Sequence, residues 1–184
     1  MHKNFIVNNF AFRLGEYHPG QDIQIGVGNT DADIVVVQPR QKMPERDAVT
    51  GALKTFGMLD NAYRATMNVV DLPDPTEGRA LHENRACLLE LIEIIRPMIV
   101  IACGSDVTGL LKKRNIRSFS SHVGKKFQIE DLTTPTFYSI LDPVEYGFAR
   151  ASETLKDQGR EEWTRIAALY NSLKKKRDSE RWAS

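Results

Sequence analysis

Four stretches of this chain set a polar side chain at the abrupt end of an apolar run, where a buried strand delivers chemistry to a surface. The first is Ile34-Val35-Val36-Val37-Gln38-Pro39-Arg40-Gln41, in which Gln38 follows four β-branched residues and Pro39 closes the run. A glutamine amide can orient a water molecule but cannot take its proton. The second is Met67-Asn68-Val69-Val70-Asp71-Leu72-Pro73. The Asn68 amide offers a donor and an acceptor, either to a ligand or to neighbouring backbone groups at a strand. The third is Met98-Ile99-Val100-Ile101-Ala102-Cys103-Gly104-Ser105. A strand running into a glycine and a helix start leaves free backbone N–H groups, which suit a phosphate. The fourth is Phe137-Tyr138-Ser139-Ile140-Leu141-Asp142-Pro143, followed by Tyr146, Phe148 and Arg150. A carboxyl group at Asp142 could act as a general acid toward a leaving group, with Glu45 and Asp47 available as bases.

The elements that must position these residues follow from patterning. A short all-apolar run is the signature of a strand buried on both faces of a parallel sheet, and Ile34–Val37 and Met98–Cys103 both have it. Residues 5–27 form a segment broken by Tyr17-His18-Pro19-Gly20, with Ile23, Ile25 and Val27 alternating as in a half-exposed strand. The patterns predict a helix around Arg46–Gly57 and a strand over Thr66–Val70. Asp71–Pro75 is a proline-punctuated loop. Leu81, Leu88, Leu91, Ile92 and Ile95 recur at helical spacing over Ala80–Ile95. Ser105 is the expected N-cap of the next helix, and Lys126–Ile129 and Thr136–Leu141 read as strands. Trp163, Ile166, Ala167, Tyr170 and Leu173 form one apolar stripe on a helix over 159–177, leaving 178–184 as a tail. Strands alternating with helices imply an α/β, three-layer αβα sandwich with a mainly parallel central sheet.

Composition narrows the function classes. The 184 residues suit one domain, with 41% hydrophobic and 27% charged residues. A net charge of +1 makes no global case for nucleic acid, so a DNA site has to be a local basic patch. Three basic groups are candidates: Lys112-Lys113-Arg114 with Arg117, Lys125-Lys126, and Lys174-Lys175-Lys176-Arg177. The first two flank the third and fourth stretches, and the last reads as solvated. No apolar run approaches the roughly 20 residues of a membrane span, and the N-terminus lacks a signal-peptide core. The expected location is the cytoplasm, or a host cytosol for a viral protein. Gly26-Val27-Gly28 precedes a strand instead of following one, which argues against a dinucleotide fingerprint. Cys87 and Cys103 are the two cysteines, and His2, His18, His82 and His122 lack metal-ligand spacing. No metal or cofactor is expected.

Taken in order, these stretches resemble the uracil-DNA glycosylase superfamily, closest to its iron–sulfur-containing branch. Gly28–Pro39 is similar to that family's GNPxADIMFVGEAPG string, which carries the water-activating residue. Met67–Pro73 is similar to TNVVKCRPP, whose asparagine reads the flipped base. Cys87 through Leu111 is similar to C-x-P-x-L…I-x-P-x-VIVALG-x-x-A-x-x-LL, and Phe137–Arg150 to TYHPSYLLR. The resemblance implies a glycosylase-like fold over 1–184 with a motif-bearing core at 28–150. It implies catalytic roles for Gln38 and Asp142 and base contacts from Asn68 and Pro39. It also implies DNA contacts from Arg40, Gly104, Ser105, Lys125, Lys126, Pro143, Tyr146 and Arg150. The partner implied is single- or double-stranded DNA, with a protein partner for a retired enzyme and no membrane.

The departures from that family are chemical. Gln38 stands in place of the acidic water activator, and Asp142 in place of a histidine beside the leaving group. A like charge at about 4 Å from a departing uracil anion costs around 4 kcal/mol at an effective dielectric near 20. That is close to a thousandfold in rate. The family's base-stacking aromatic has no counterpart between Gln41 and Gly57, and two cysteines cannot ligate a four-thiolate cluster. The expected activity is therefore excision of a base other than ordinary uracil, or DNA or protein binding without catalysis.

Overall fold

Two β-branched runs form the middle of the protein. The computed structural model describes residues 6–7, 9, 26–39, 48–67, 78–114, 116–143 and 151–182. In it, Ile34–Pro39 (β2) pairs in parallel with Ile99–Cys103 (β4), Ile34 opposite Ile99 and Val37 opposite Ala102. Side chains from Ile34 to Val37 and from Ile99 to Cys103 are wholly shielded from solvent. Ala62–Met67 (β3) runs parallel to β2, and Leu132–Ile140 (β6) runs parallel to β4. The two-residue strand Val27–Gly28 (β1) lies antiparallel outside β3, and Lys125–Ile129 (β5) antiparallel outside β6. The order across the sheet is β1-β3-β2-β4-β6-β5.

Helices cover both faces. Ala48–Thr55 (α1) and Glu153–Trp182 (α4) lay Val49, Leu53, Trp163, Ile166 and Tyr170 on Ile34, Val36, Ile99 and Ile101. Gly78–Ile95 (α2) and Gly104–Lys112 (α3) lay Leu88, Leu91, Ile92, Ile95, Val107 and Leu111 on Val35, Val37, Val100 and Ala102. The chain is thus an α/β sandwich with a mainly parallel central sheet, as its patterning predicts. No helix among the described residues is long and apolar enough to cross a membrane. The crossover from β2 to β3 through α1 and that from β4 to β6 through α3 move in opposite directions and use opposite faces. Right-handed crossovers require this. The strand order therefore reverses between β2 and β4, and in open α/β sheets ligands bind at the carboxyl ends of the strands beside such a reversal.

Several boundaries differ from the sequence reading. The strand expected over Thr66–Val70 begins at Ala62, because Tyr63 and Ala65 supply its buried face without a β-branched run. Residues 68–70 lie outside the described residues, as do Ile23 and Ile25. The strand expected over Thr136–Leu141 starts at Leu132 and ends at Ile140. Residues 178–182 continue the last helix instead of forming a tail, and Lys176 reaches Glu180 one turn on. The glycine pair has a packing role. A Cβ at Gly26 would stand 2.3 Å from the Arg64 carbonyl oxygen, and one at Gly28 would stand 2.4 Å from that of Ala62. Only glycine lets β1 approach β3 this closely.

Asp33 ties the last helix to the opposite edge of the sheet. Its backbone carbonyl accepts from Met98 N at 2.7 Å and Ile99 N at 3.2 Å, which fixes the start of β4 beside β2. Its carboxylate accepts both terminal nitrogens of Arg177 and the Tyr170 hydroxyl at 3.2 Å. Burial, and then Asp33, push the Tyr170 hydroxyl up to about 12. Arg177 is therefore an anchor and not part of a solvated basic tail. A forked guanidinium on a carboxylate is among the stronger charge-assisted contacts. Arg177→Ala is expected to lower unfolding stability by about 1–2 kcal/mol in denaturant titration. Lys175→Ala, one turn face away, is expected to leave it within about 0.5 kcal/mol.

Candidate functional site at the carboxyl edge of the sheet

The dry ladder of β2 ends at Gln38. Alternation puts its side chain on the face of Ile34 and Val36, one register past the Val37–Ala102 pair and abreast of Cys103. Gln38 is 7% exposed, and its Oε1 has no hydrogen-bond partner among the described residues. Leaving a buried amide oxygen unpaired costs about 1–3 kcal/mol. Pro39, half-buried, ends the strand opposite Met67.

At the end of β4 the backbone turns sharply into α3. Gly104 has φ +85°, a conformation that strains any residue with a side chain. The helix is capped by Cys103 with no side-chain bond. Ser105 is not the N-cap expected from sequence: it lies inside the helix and its Oγ donates to Asp106 Oδ1 at 3.2 Å. The positive φ of Gly104 makes the turn one residue earlier. Thr108, fully buried, donates to the Gly104 carbonyl at 2.8 Å and meets Ser139 Oγ at 2.8 Å. This pins the β4–α3 turn to β6, so the first N–H groups of α3 hold a fixed position at the carboxyl edge.

The end of β6 completes the edge. Asp142 is half-buried, its Cβ 3.6 Å from where a Cβ on Gly104 would stand, and Pro143 behind it is buried. The preceding Leu141 N–H donates to Glu162 Oε2 at 2.9 Å, and Gln158 donates to Glu162 Oε1 at 3.3 Å. Glu162 is 2% exposed, and burial pushes its carboxyl above the ordinary range. Burial also pushes the Cys103 thiol well up, with the negative charges of Asp142 and Glu162 adding to it. Cys103 is thus a protonated core residue beneath the edge and not a nucleophile.

Three strand ends therefore bring Gln38, Pro39, Gly104, Ser105, Asp142 and Pro143 to one edge of the sheet. Lys125 and Lys126 join it from β5: Lys125 is opposite Ser139, and both side chains are exposed. Arg40, Asn68, Tyr146 and Arg150 lie outside the described residues, as do Glu45 and Asp47. Glu162 is the residue that motif reading passes over. Its sequence signal is a carboxylate four residues before Ile166 and beside Trp163, inside the apolar stripe. Among the described residues, no cluster of three or more His, Cys, Asp and Glu side chains could hold a metal ion. The edge offers an amide whose oxygen has no partner among the described residues, a carboxyl group and a helix N-terminus, a set that can bind a polar planar group and an anion together.

No protein-family model matches the chain, and no curated protein matches it.

The Glu162 carboxyl makes the stability of this edge depend on pH. Its folded pKa lies above the unfolded 4.5, so the stability it contributes is complete below 4.5 and is lost as pH rises through the folded value. Glu162→Gln keeps an acceptor for Leu141 N–H without the charge. Its melting temperature relative to the parent is expected to be more favourable near pH 7.5 than near pH 4. Glu162→Ala, which strands that N–H, is expected to cost about 1–3 kcal/mol at both.

Proposed function

We propose that the chain is a DNA-binding protein of the uracil-DNA glycosylase superfamily whose crevice takes an extruded base other than ordinary uracil. One observation carries this reading. Gln38, Gly104–Ser105 and Asp142, the stations that the motif resemblance assigns to water, phosphate and leaving group, converge on the edge where the strand order reverses.

In this reading Asn68 reads the flipped base, while Pro39 lines its pocket. Gln38 places the water whose oxygen bonds to the sugar C1′ as the C1′–N bond breaks. The bonding pair leaves with the base, to which the Asp142 carboxylate relays a proton taken up from solvent. The proton lost by the water returns to solvent. Gly104 and Ser105 present backbone N–H groups to a phosphate, and Arg40, Lys125 and Lys126 add positive charge. Pro143, Tyr146 and Arg150 hold the duplex open, offsetting the few kcal/mol that flipping costs.

A specific observation favours a second reading, a glycosylase-like module that binds DNA or a protein without catalysis. Gln38 is nearly shielded from solvent and cannot serve as a base. Labelled single- and double-stranded oligonucleotides containing uracil, hypoxanthine or xanthine separate the two. Binding is scored at two salt concentrations, and strand cleavage at abasic sites after alkali. The first reading expects cleavage at one base other than uracil, reduced at least about tenfold by Asp142→Asn. Salt-sensitive binding without cleavage at any base selects the module. An absence of binding to every oligonucleotide overturns the first reading and leaves the module with a protein as its partner.

A further inference from the structure

His122 sits among cations. Its Nδ1 lies 3.2 Å from Lys112 Nζ at the end of α3, and Arg114 and Lys125 are the other charged groups that act on it. Lys112 belongs to α3, Arg114 to the link after it and Lys125 to β5, while Arg165 of α4, paired with Glu161, reaches the neighbouring Gly124. Among the described residues that act on the charge of His122, none is a carboxylate. The Lys112 ammonium also lies over the Phe127 ring, 5.2 Å from its centre. As an ammonium it can only donate, so it holds the imidazole neutral with its remaining proton on Nε2.

Gathering like charges costs free energy, and several other described cations meet an acid. Arg85 and Lys113 both reach Asp131, Arg177 reaches Asp33, and Lys156, Arg160 and Arg165 each reach an acid on their own helix. Lysines on an edge strand discourage edge-to-edge pairing, which would account for Lys125 and Lys126. That does not account for Lys112, Arg114 and His122, which lie off the strand.

We propose that Lys112, Arg114, His122 and Lys125 form a phosphate-binding site that grips the backbone of a nucleic-acid strand whose neighbouring nucleotide occupies the carboxyl-edge crevice. The proposal rests on the DNA-binding reading above and adds the station that holds the flanking phosphate. Position supports it, since Lys125 lies opposite Ser139, three residues before Asp142. That separation is roughly 10 Å along the strand. The chemistry supports it too. Lys112 meets the His122 ring, Lys125 donates its backbone N–H to the His122 carbonyl at 3.2 Å, and a bound phosphate supplies a negative charge that no described group acting on His122 supplies. Burial and the three cations hold His122 below its ordinary pKa, so a phosphate arriving there draws a proton onto the imidazole. Binding is therefore coupled to proton uptake and tightens as pH falls.

The test follows the His122 imidazole resonances by NMR while short oligothymidylate or inorganic pyrophosphate is added, with fluorescence anisotropy in parallel. The oligonucleotide is expected to shift the His122 signals and raise its midpoint. The exposed double variant Arg114→Ala, Lys125→Ala is expected to weaken binding roughly tenfold and lower the salt slope by about 1.4. His122→Gln is expected to flatten the pH dependence of binding. Oligonucleotide binding with unmoved His122 signals and an unchanged salt slope overturns this site and leaves the crevice reading intact. A response to pyrophosphate alone overturns strand binding here and the DNA reading with it. No response to either overturns the site.

Discussion

Everything in this fold depends on the dry parallel pairing of β2 and β4. Eight of their side chains, Ile34–Val37 and Ile99–Ala102, are wholly shielded and come from both faces of the sheet. Burying each such aliphatic side chain is worth about 1.5–3 kcal/mol, but only if helices seal both faces. That requirement calls α1 and α4 to one side and α2 and α3 to the other. It also expels polar side chains from the middle of the sheet. Polar chemistry can appear only where the ladder ends, and the carboxyl ends beside the reversal of strand order are where such sheets bind ligands. Gln38 is the first residue of β2 to meet that boundary. Its side-chain oxygen has no hydrogen-bond partner among the described residues.

Sequence patterning revealed the architecture best where burial was most one-sided. β2, β4 and the stripe on α4 carry undiluted apolar signals, and they stand close to where periodicity puts them. β3 hid because Ala62 and Ala65 fill a tight space with little hydrophobic bulk and Arg64 interrupts the run. The strand ends of the site were legible as places where apolar runs stop. Glu162 was not, because helical periodicity treats a charged residue as solvent-facing. Its burial depends on the Leu141 amide arriving from a strand that is distant in sequence. Arg177 was misread for the same reason: a cation in a basic run looks solvated until Asp33 is placed beside it.

Charge is distributed unevenly between the two ends of the sheet. At the amino end, Asp33 meets Arg177 and each sign finds its opposite. Toward the carboxyl end, two carboxyl groups crowd Cys103 on one side of β6, and cations crowd His122 on the other side, by β5. Separated charge of this kind costs stability in the isolated chain, and it produces a local field that a nearly neutral overall composition conceals.

The last helix touches both of these ends. Glu162 meets the sheet at its carboxyl edge and Arg177 meets it at Asp33, fifteen positions apart on one helix of 30. At 1.5 Å per residue they stand about 22 Å apart. The helix therefore works as a ruler with two fixed marks. Adding or removing one residue between the marks would turn one anchor about 100° away from its partner. Sequence can drift freely on the outer side of this segment, but its length cannot. The helical phase between the two anchors sets the height at which Leu141 and Asp142 emerge above the sheet.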